Sequence, residues 1–212
     1  MVWLPDVGER PFSVMNDRPL SLTVADVGPF SHGICGLSPG DRLWVRGPYG
    51  HGFHIEGRRH LLVAGGSGAA SLALVAKAAR RQGDRVAVIL GARTAYQLML
   101  RWRFEDLGCQ LFIATDDGSE GYHGTVLDVL QSRRDIGAAD MIYGCGPEPM
   151  LMALAQYAQE HHVDLQVSVE AVMKCGLGVC GNCHRGDRLV CSDGPVFSGR
   201  TFYRALRMDG AV

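Results

Sequence analysis

The stretch His60-Leu-Leu-Val-Ala-Gly-Gly-Ser-Gly-Ala-Ala-Ser-Leu-Ala-Leu-Val-Ala-Lys-Ala-Ala-Arg-Arg-Gln82 decides the fold class. His60–Ala64 is a short apolar run that reads as a buried strand. Residues 65–68 form a glycine turn, and Ala69–Gln82 reads as a helix with Gly83 as its stop. The same alternation continues downstream. Arg85–Leu90, Cys109–Ala114, Asp140–Tyr143 and Leu165–Val169 read as strands, whereas Ala95–Leu107, Thr125–Ser132 and Pro147–His161 read as helices. Strands alternating with helices predict a doubly wound parallel sheet covered on both faces.

Upstream of this stretch the pattern changes. The first 58 residues are rich in Gly and Pro and hold short β-like runs at Leu20–Val24 and Arg42–Arg46. Turn signals at Ser38-Pro-Gly-Asp41 and Gly47-Pro-Tyr-Gly50 separate them. A small antiparallel β unit is expected there. Three regions follow: a β domain over 1–58, an α/β domain over 59–168, and a cysteine-rich module over 169–212. Composition narrows the function. A net charge of −1 gives no electrostatic case for nucleic acid. The most apolar stretch, Leu61–Ala76, is interrupted by Gly65, Gly66 and Gly68 and is short for a membrane span. No targeting segment is evident, so a reducing cytoplasm is expected, where seven cysteines read as ligands or free thiols.

Four of those cysteines carry the clearest chemistry. Cys175-Gly-Leu-Gly-Val-Cys180-Gly-Asn-Cys183, followed by Cys191, has the C-x4-C-x2-C…C spacing of a plant-type [2Fe–2S] cluster. Gly176, Gly178 and Gly181 let the loop curl tightly around such a group. Two alternatives stay open. A zinc site also takes four cysteines, although usually as two C-x2-4-C pairs, and a disulfide framework suits small secreted domains.

Nucleotide signals lie on the α/β sheet. Gly65-Gly66-Ser67-Gly68 runs from a strand into a helix start, where backbone N–H groups can receive a pyrophosphate, although a glycine turn can also be purely structural. Tyr143-Gly-Cys145-Gly146-Pro147 repeats the design, with Pro at the first helical position. Thr115-Asp116-Asp117-Gly118 follows a third strand at the same edge and reads either as a polar turn or as carboxylates for ribose hydroxyls. Arg10-Pro11-Phe12-Ser13 reads as an edge strand with a surface arginine. Its sharper reading is a flavin site, with Arg10 on a pyrophosphate, Phe12 near the ring system and Ser13 hydrogen-bonding the flavin.

Together these segments resemble the ferredoxin-reductase-like flavoproteins. More narrowly, they resemble the iron–sulfur, FAD-containing electron-transfer subunit of the two-subunit, NAD-linked dihydroorotate dehydrogenase. The matching stretches are Arg10–Ser13, Gly28-Pro-Phe30-Ser31, Gly40-Asp41, Arg46–Gly50 with Gly52-Phe53, Gly65–Gly68, Gly91-Ala-Arg-Thr94, Thr115–Ser119, Cys145–Pro147 and Cys175–Cys183. The closing Val190-Cys191-Ser-Asp-Gly-Pro-Val-Phe197 is the most specific. The resemblance implies FAD held between the β and α/β domains, with Arg10, Pro11, Phe12, Ser13, Phe30 and Ser31 as its residues. It implies NAD(H) at Gly65, Gly66, Gly68, Asp116, Cys145, Gly146 and Pro147, with Cys145 near the nicotinamide. It implies a [2Fe–2S] cluster on Cys175, Cys180, Cys183 and Cys191, facing an FMN-containing catalytic subunit in a heterotetramer. Dihydroorotate would be oxidised on that partner, in pyrimidine biosynthesis.

Departures from the family pattern are also expected to show. The family places further strands before the position of Arg10, and only nine residues precede it here, so the flavin barrel is expected to be partial. Ser71 stands where the nicotinamide turn usually has proline. Two other functions compete. One is the small FAD/[2Fe–2S] subunit of a ferredoxin–NAD(P)H transhydrogenase or sulfhydrogenase; in some of the former the first ligand position is Asp, whereas here it is Cys175. The other is a non-enzymatic Fe–S scaffold that has lost FAD.

Overall fold

The computed structural model describes residues 1–133, 136 and 138–210. The chain opens with β1 (Val2–Leu4), β2 (Gly8–Arg10), β3 (Val14–Asn16) and β4 (Ser21–Leu22), then α1 (Pro29–Cys35) and β5 (Trp44–Val45). β1 lies between β2 and β5, antiparallel to both, and β3 pairs with β4 across a bulge. The antiparallel β unit is therefore present as two separate ladders. Its strands are shorter than the runs Leu20–Val24 and Arg42–Arg46. At β4 the reason is local: Asn16 Nδ2 and Ser21 Oγ both donate to the Pro19 carbonyl, at 2.8 and 3.1 Å, and draw the hairpin into a tight turn.

The α/β region holds β6 (Arg59–Gly65), α2 (Ala69–Arg81), β7 (Arg85–Ala92), α3 (Arg101–Asp106), β8 (Gln110–Thr115), β9 (Tyr122–His123), α4 (Val126–Ser132), β10 (Met141–Cys145), α5 (Glu148–Glu160) and β11 (Asp164–Ser168). After it come β12 (His184–Arg185), β13 (Arg188–Leu189), β14 (Val196–Ser198) and α6 (Gly199–Met208). The main sheet has the order β14-β11-β10-β6-β7-β8-β9 and is parallel throughout except for β14.

Alternation along β6 builds two cores. Leu61 and Val63 face a layer of α4, α5 and α6 through Leu130, Leu151, Leu154 and Leu206. Leu62 and Ala64 face α2 and α3 through Leu72, Ala73, Ala76 and Phe104. Each large aliphatic side chain buried this way contributes about 1.5–3 kcal/mol. On α2 the inward positions are mostly alanine, which combines high helix propensity with close approach to the sheet.

The helix expected over Ala95–Leu107 splits. A 3₁₀ turn covers Ala95–Gln97, and α3 starts only after Leu100, which sits at φ 59°. Leu98, Met99 and Leu100 all pack onto the second core. Three consecutive side chains cannot share one helix face, so the chain uncoils to turn all three inward.

The cysteine module is tied to both other regions. Its tail returns as β14 to pair with β11 across Gln166–Ser198, Val167–Phe197 and Ser168–Val196. On the way it meets the β unit, where His51 N donates to the Gly194 carbonyl at 2.5 Å. The segment over 169–212 thus contributes a strand and a helix to the α/β layer. The β unit is fixed to α2 and α3 through Asn16, whose buried Oδ1 accepts from Lys77 Nζ at 2.8 Å and Arg103 Nη2 at 3.0 Å. Among the described residues, no helix is long and apolar enough to cross a membrane.

Candidate functional site

Strands β6, β8 and β10 run in one direction, so their C-terminal turns share one edge of the sheet. At that edge the turn over Gly65–Gly68 is pressed against the turn over Cys145–Pro147. A Cβ on Gly68 would lie 2.1 Å from the Cys145 carbonyl oxygen, and one on Gly146 would lie 2.9 Å from Gly65 Cα. Only glycine permits that approach. Gly66, in contrast, faces open space, at φ +52°. The turn and α2 have no side-chain cap and no acidic residue in the first turn, so the positive end of α2 faces this edge without a protein anion, although Ala69 N–H is already taken by the Gly66 and Ser67 carbonyls.

Cys145 is buried in this double turn. Burial pushes its thiol up, while the Ser71 and Ser168 hydroxyls within hydrogen-bond reach act the other way. Ser168 reaches it because Cys145 and Ser168 are register partners on β10 and β11. Ser71 also donates to the Gly68 carbonyl at 2.9 Å. The serine that departs from the family's proline thereby links the glycine turn to the cysteine.

The structure sets Asp116 apart from this pair of turns, at the end of β8, with β7 intervening. Its side chain is exposed. Asp117 is turned into its own loop: Ser119 N and Oγ donate to it at 3.0 and 2.6 Å and hold its carboxyl below the usual range.

In the β unit, three of the six residues marked for flavin are gathered. Phe12 stacks on Phe30 at 6.1 Å, and the Arg10 guanidinium lies 5.7 Å from the Phe30 ring. Ser31 lies in the first turn of α1, next to Phe30. Its hydroxyl accepts from the N–H groups of Val27 and Gly28, at 2.9 and 3.0 Å, and donates to the Gly28 carbonyl, so it serves the turn itself. Pro11 is half-buried beside Phe12, and Ser13 is exposed. Residues that sequence reasoning passed over join the β unit to the sheet. The Tyr143 hydroxyl and Gln166 Nε2 both donate to the His54 carbonyl, at 3.1 and 2.9 Å, and Gln166 Oε1 accepts from His54 N. The available signal was a glutamine between Leu165 and Val167 in a short strand.

No disulfide joins any of the seven cysteines. Cys183 and Cys191 are buried, Cys175 is half-buried and Cys180 is exposed. The four clustered thiols fall into two pairs, Cys175 with Cys180 and Cys183 with Cys191, and Cys175 also lies within electrostatic reach of Cys191. Among the described residues, no three Cys, His, Asp or Glu groups close on a single-ion position. Backbone N–H groups converge on the sulfurs. Leu177 N donates to Cys175 Sγ at 3.4 Å, Gly178 N to Cys191 Sγ at 3.3 Å, and Cys191 N to Cys183 Sγ at 3.4 Å. Amides of Leu177, Cys180 and Val179 lower the Cys175 thiol to about 6, whereas burial raises Cys191 to about 11. Gly176, Gly178 and Gly181 all take positive φ, near 70°, and this aims those amides inward.

Comparison with known proteins agrees with this arrangement. Residues 170–202 match the family model described as the iron–sulfur cluster binding domain of dihydroorotate dehydrogenase B. A protein of Methanopyrus kandleri is 44% identical over 93% of this chain and 76% of its own length. Another, from Thermococcus kodakarensis, is 45% identical over 94% of this chain and 82% of its own. Both are named as the probable electron transfer subunit of dihydroorotate dehydrogenase B (NAD+). A solved NADH-dependent reduced ferredoxin–NADP oxidoreductase superposes with a TM-score of 0.80 at 30% identity, over 97% of this chain and 78% of that one. An Amycolatopsis cytochrome P450 reductase shares the fold, with a TM-score of 0.61 at 23% identity, over 76% of this chain and 55% of its own. The chain belongs to the family of electron transfer subunits of NAD+-linked dihydroorotate dehydrogenase B.

Proposed function

We propose that this subunit takes electrons from the FMN of a catalytic partner and passes them, through a [2Fe–2S] cluster and FAD, to NAD+. The observation that carries this reading is the double pair of thiols under converging backbone amides. Two pairs suit a two-iron cluster, because each iron takes two of the four thiolates, and the amide donors favour the charged sulfurs. In this assignment Cys175 and Cys180 form the outer pair, and Cys183 and Cys191 the inner pair, which is rooted in the sheet's core.

The remaining residues have distinct tasks. Arg10 supplies a fixed positive charge for the FAD pyrophosphate, while Phe12 and Phe30 offer the apolar surface beside it. Pro11 and Ser13 complete that strip, and Ser31 holds the start of α1 in place. Gly65, Gly66 and Gly68 let the backbone approach the dinucleotide closely, and the positive end of the uncapped α2 favours its phosphates. Cys145, Gly146 and Pro147 wall the nicotinamide end, and Asp116 faces the ribose side. FAD, when bound, supplies the conversion between single electrons and a two-electron hydride. The full assembly is a heterotetramer with the FMN subunit, and seven cysteines without a disulfide among them accord with a cytoplasmic setting.

The test is co-expression with a candidate FMN subunit. The purified pair is expected to contain iron and flavin and to reduce NAD+ with dihydroorotate. A pair that reduced NAD+ only from reduced ferredoxin would favour the transhydrogenase reading, for which the 30% identical oxidoreductase is the supporting observation. Iron without flavin would leave only the scaffold.

A further inference from the structure

Arg46 stands between the β unit and the cysteine loop and makes contacts to both. Its Nε and Nη2 meet the Glu9 carboxylate at 2.6 and 2.8 Å as a fork. Nη1 donates to the Tyr49 hydroxyl at 3.0 Å, and the guanidinium lies 5.1 Å from the Tyr49 ring. Nη2 also donates to the backbone carbonyl of Cys175 at 2.7 Å, a contact across 129 positions of sequence. Next to that carbonyl, Gly176 rests on the same group: a Cβ there would lie 3.4 Å from Tyr49 and 3.5 Å from Arg46 Nη1. Glu9 precedes Arg10, and Arg10 Nη1 donates to the Glu9 carbonyl at 2.8 Å. A continuous string of hydrogen bonds therefore runs from Arg10, through Glu9 and Arg46, to the first cysteine of the loop.

The pair is only partly open to water, with side chains 35% and 24% exposed for Arg46 and Glu9. Its charges are less screened than those of a free surface pair. Glu9 and Tyr49 both stabilise the charged guanidinium, so Arg46 is a permanent cation. The cation touches the loop backbone directly, and its counter-ion lies one group farther away.

We propose that the Glu9–Arg46 pair sets the reduction potential of the cluster held by Cys175, Cys180, Cys183 and Cys191 and fixes the loop to the strand that carries Arg10. The inference rests on the cluster assignment above. Reducing the cluster adds one electron and makes or breaks no bond. A nearby positive charge therefore favours the reduced form and a nearby negative charge the oxidised form. Arg46 and Glu9 are positioning residues and do not ligate iron.

The experiment is a potentiometric titration of the full chain carrying its cluster, followed by the electron paramagnetic resonance of the reduced state. Arg46→Gln is expected to lower the midpoint, by about a tenfold change in the one-electron equilibrium, or about 59 mV. Glu9→Gln is expected to raise it. The double variant should fall between the two single variants, and Arg46→Lys should keep the potential while losing the fork. Opposite shifts from the two single variants are a signature that mere loosening of the loop does not produce. Where Arg46→Gln fails to fold, Glu9→Gln and Arg46→Lys carry the test. Shifts of the same sign, or none, in a loaded cluster overturn the inference alone. A parent chain that takes up no iron overturns the cluster assignment, and the inference with it.

Discussion

The two edges of the central sheet are built from opposite materials. At the edge where β6 and β7 begin, the carboxylates of Asp84 and Asp140 are met by charged partners. Asp84, buried, meets His60 Nε2 and Arg58 Nη1, each at 3.1 Å. Asp140 accepts from the N–H groups of Arg58 and Arg59, at 2.9 and 3.0 Å, and pairs with the Arg59 guanidinium. At the edge where β6 and β10 end, side chains give way to Gly65, Gly66, Gly68 and Gly146, and helix-start amides are left without side-chain partners. One edge is closed by ion pairs that hold the strands together. The other leaves the start of α2 without a side-chain cap or an acidic neighbour. A parallel sheet points its helix starts at its C-terminal edge, so an anion is favoured there and structural salt bridges are best placed at the opposite end.

A pair of glycine variants tests this contrast most severely. Gly68→Ala places a methyl group 2.1 Å from the Cys145 carbonyl oxygen, so the two turns must part. We expect a loss of NADH affinity of about tenfold or more, and a stability loss of about 1–3 kcal/mol from overpacking. Gly83→Ala, beyond the other end of α2, meets no neighbouring atom and bears only its φ of +81°. It is expected to cost about 1 kcal/mol and to leave NADH affinity unchanged. NADH titration and thermal melting measure both. Equal effects on binding would mean that the open edge has no special role.

The closed edge predicts a dependence on pH. The His60 contact lowers the Asp84 pKa, with Arg58 acting in the same direction. A carboxyl depressed in the folded state stabilises the protein above its unfolded pKa, about 3.9, and loses that contribution as pH falls through the folded value. Asp84→Asn should therefore lower the melting temperature at neutral pH. The gap from the parent should narrow below about pH 4. A gap that stayed constant down to pH 3 would show that the carboxylate charge is not what holds this edge.

Legibility in the sequence followed the same division. The open edge was readable because its signal is local: Gly65–Gly68 and Cys145–Pro147 each name a strand, a turn and a helix start within a few residues. The cysteine spacing is local too, and the structure gathers its thiols. The closed edge was not readable, because Asp84 and His60 are 24 positions apart and Asp140 is 81 from Arg59. Nothing in the spacing of Arg46 and Cys175 foretold their hydrogen bond either. The break before α3 was missed for a related reason. Ala95–Leu107 has helical composition, and only packing on a sheet folded elsewhere required Leu98, Met99 and Leu100 to turn inward together.

The smallest expected effect separates two neighbouring carboxylates on the open edge. Asp116 and Asp117 look equivalent in sequence as groups that would face a ribose and repel a 2′-phosphate. The structure distinguishes them. Both are exposed at the end of β8, but the Asp117 carboxylate is committed to Ser119. Asp116→Asn removes a negative charge without touching the loop, so it should improve use of NADPH relative to NADH by a few-fold, since exposed charges interact by about 1 kcal/mol at contact distance in water. Asp117→Asn weakens the turn that holds the whole loop, so it should reduce use of both cofactors in proportion and leave their ratio unchanged. The ratio of kcat/KM for NADPH and NADH, measured with an artificial acceptor on the flavin-loaded subunit, makes the distinction. A ratio that moved with Asp117 and not with Asp116 would place the ribose against the carboxylate held by Ser119, and the open edge would then extend one residue further along the loop.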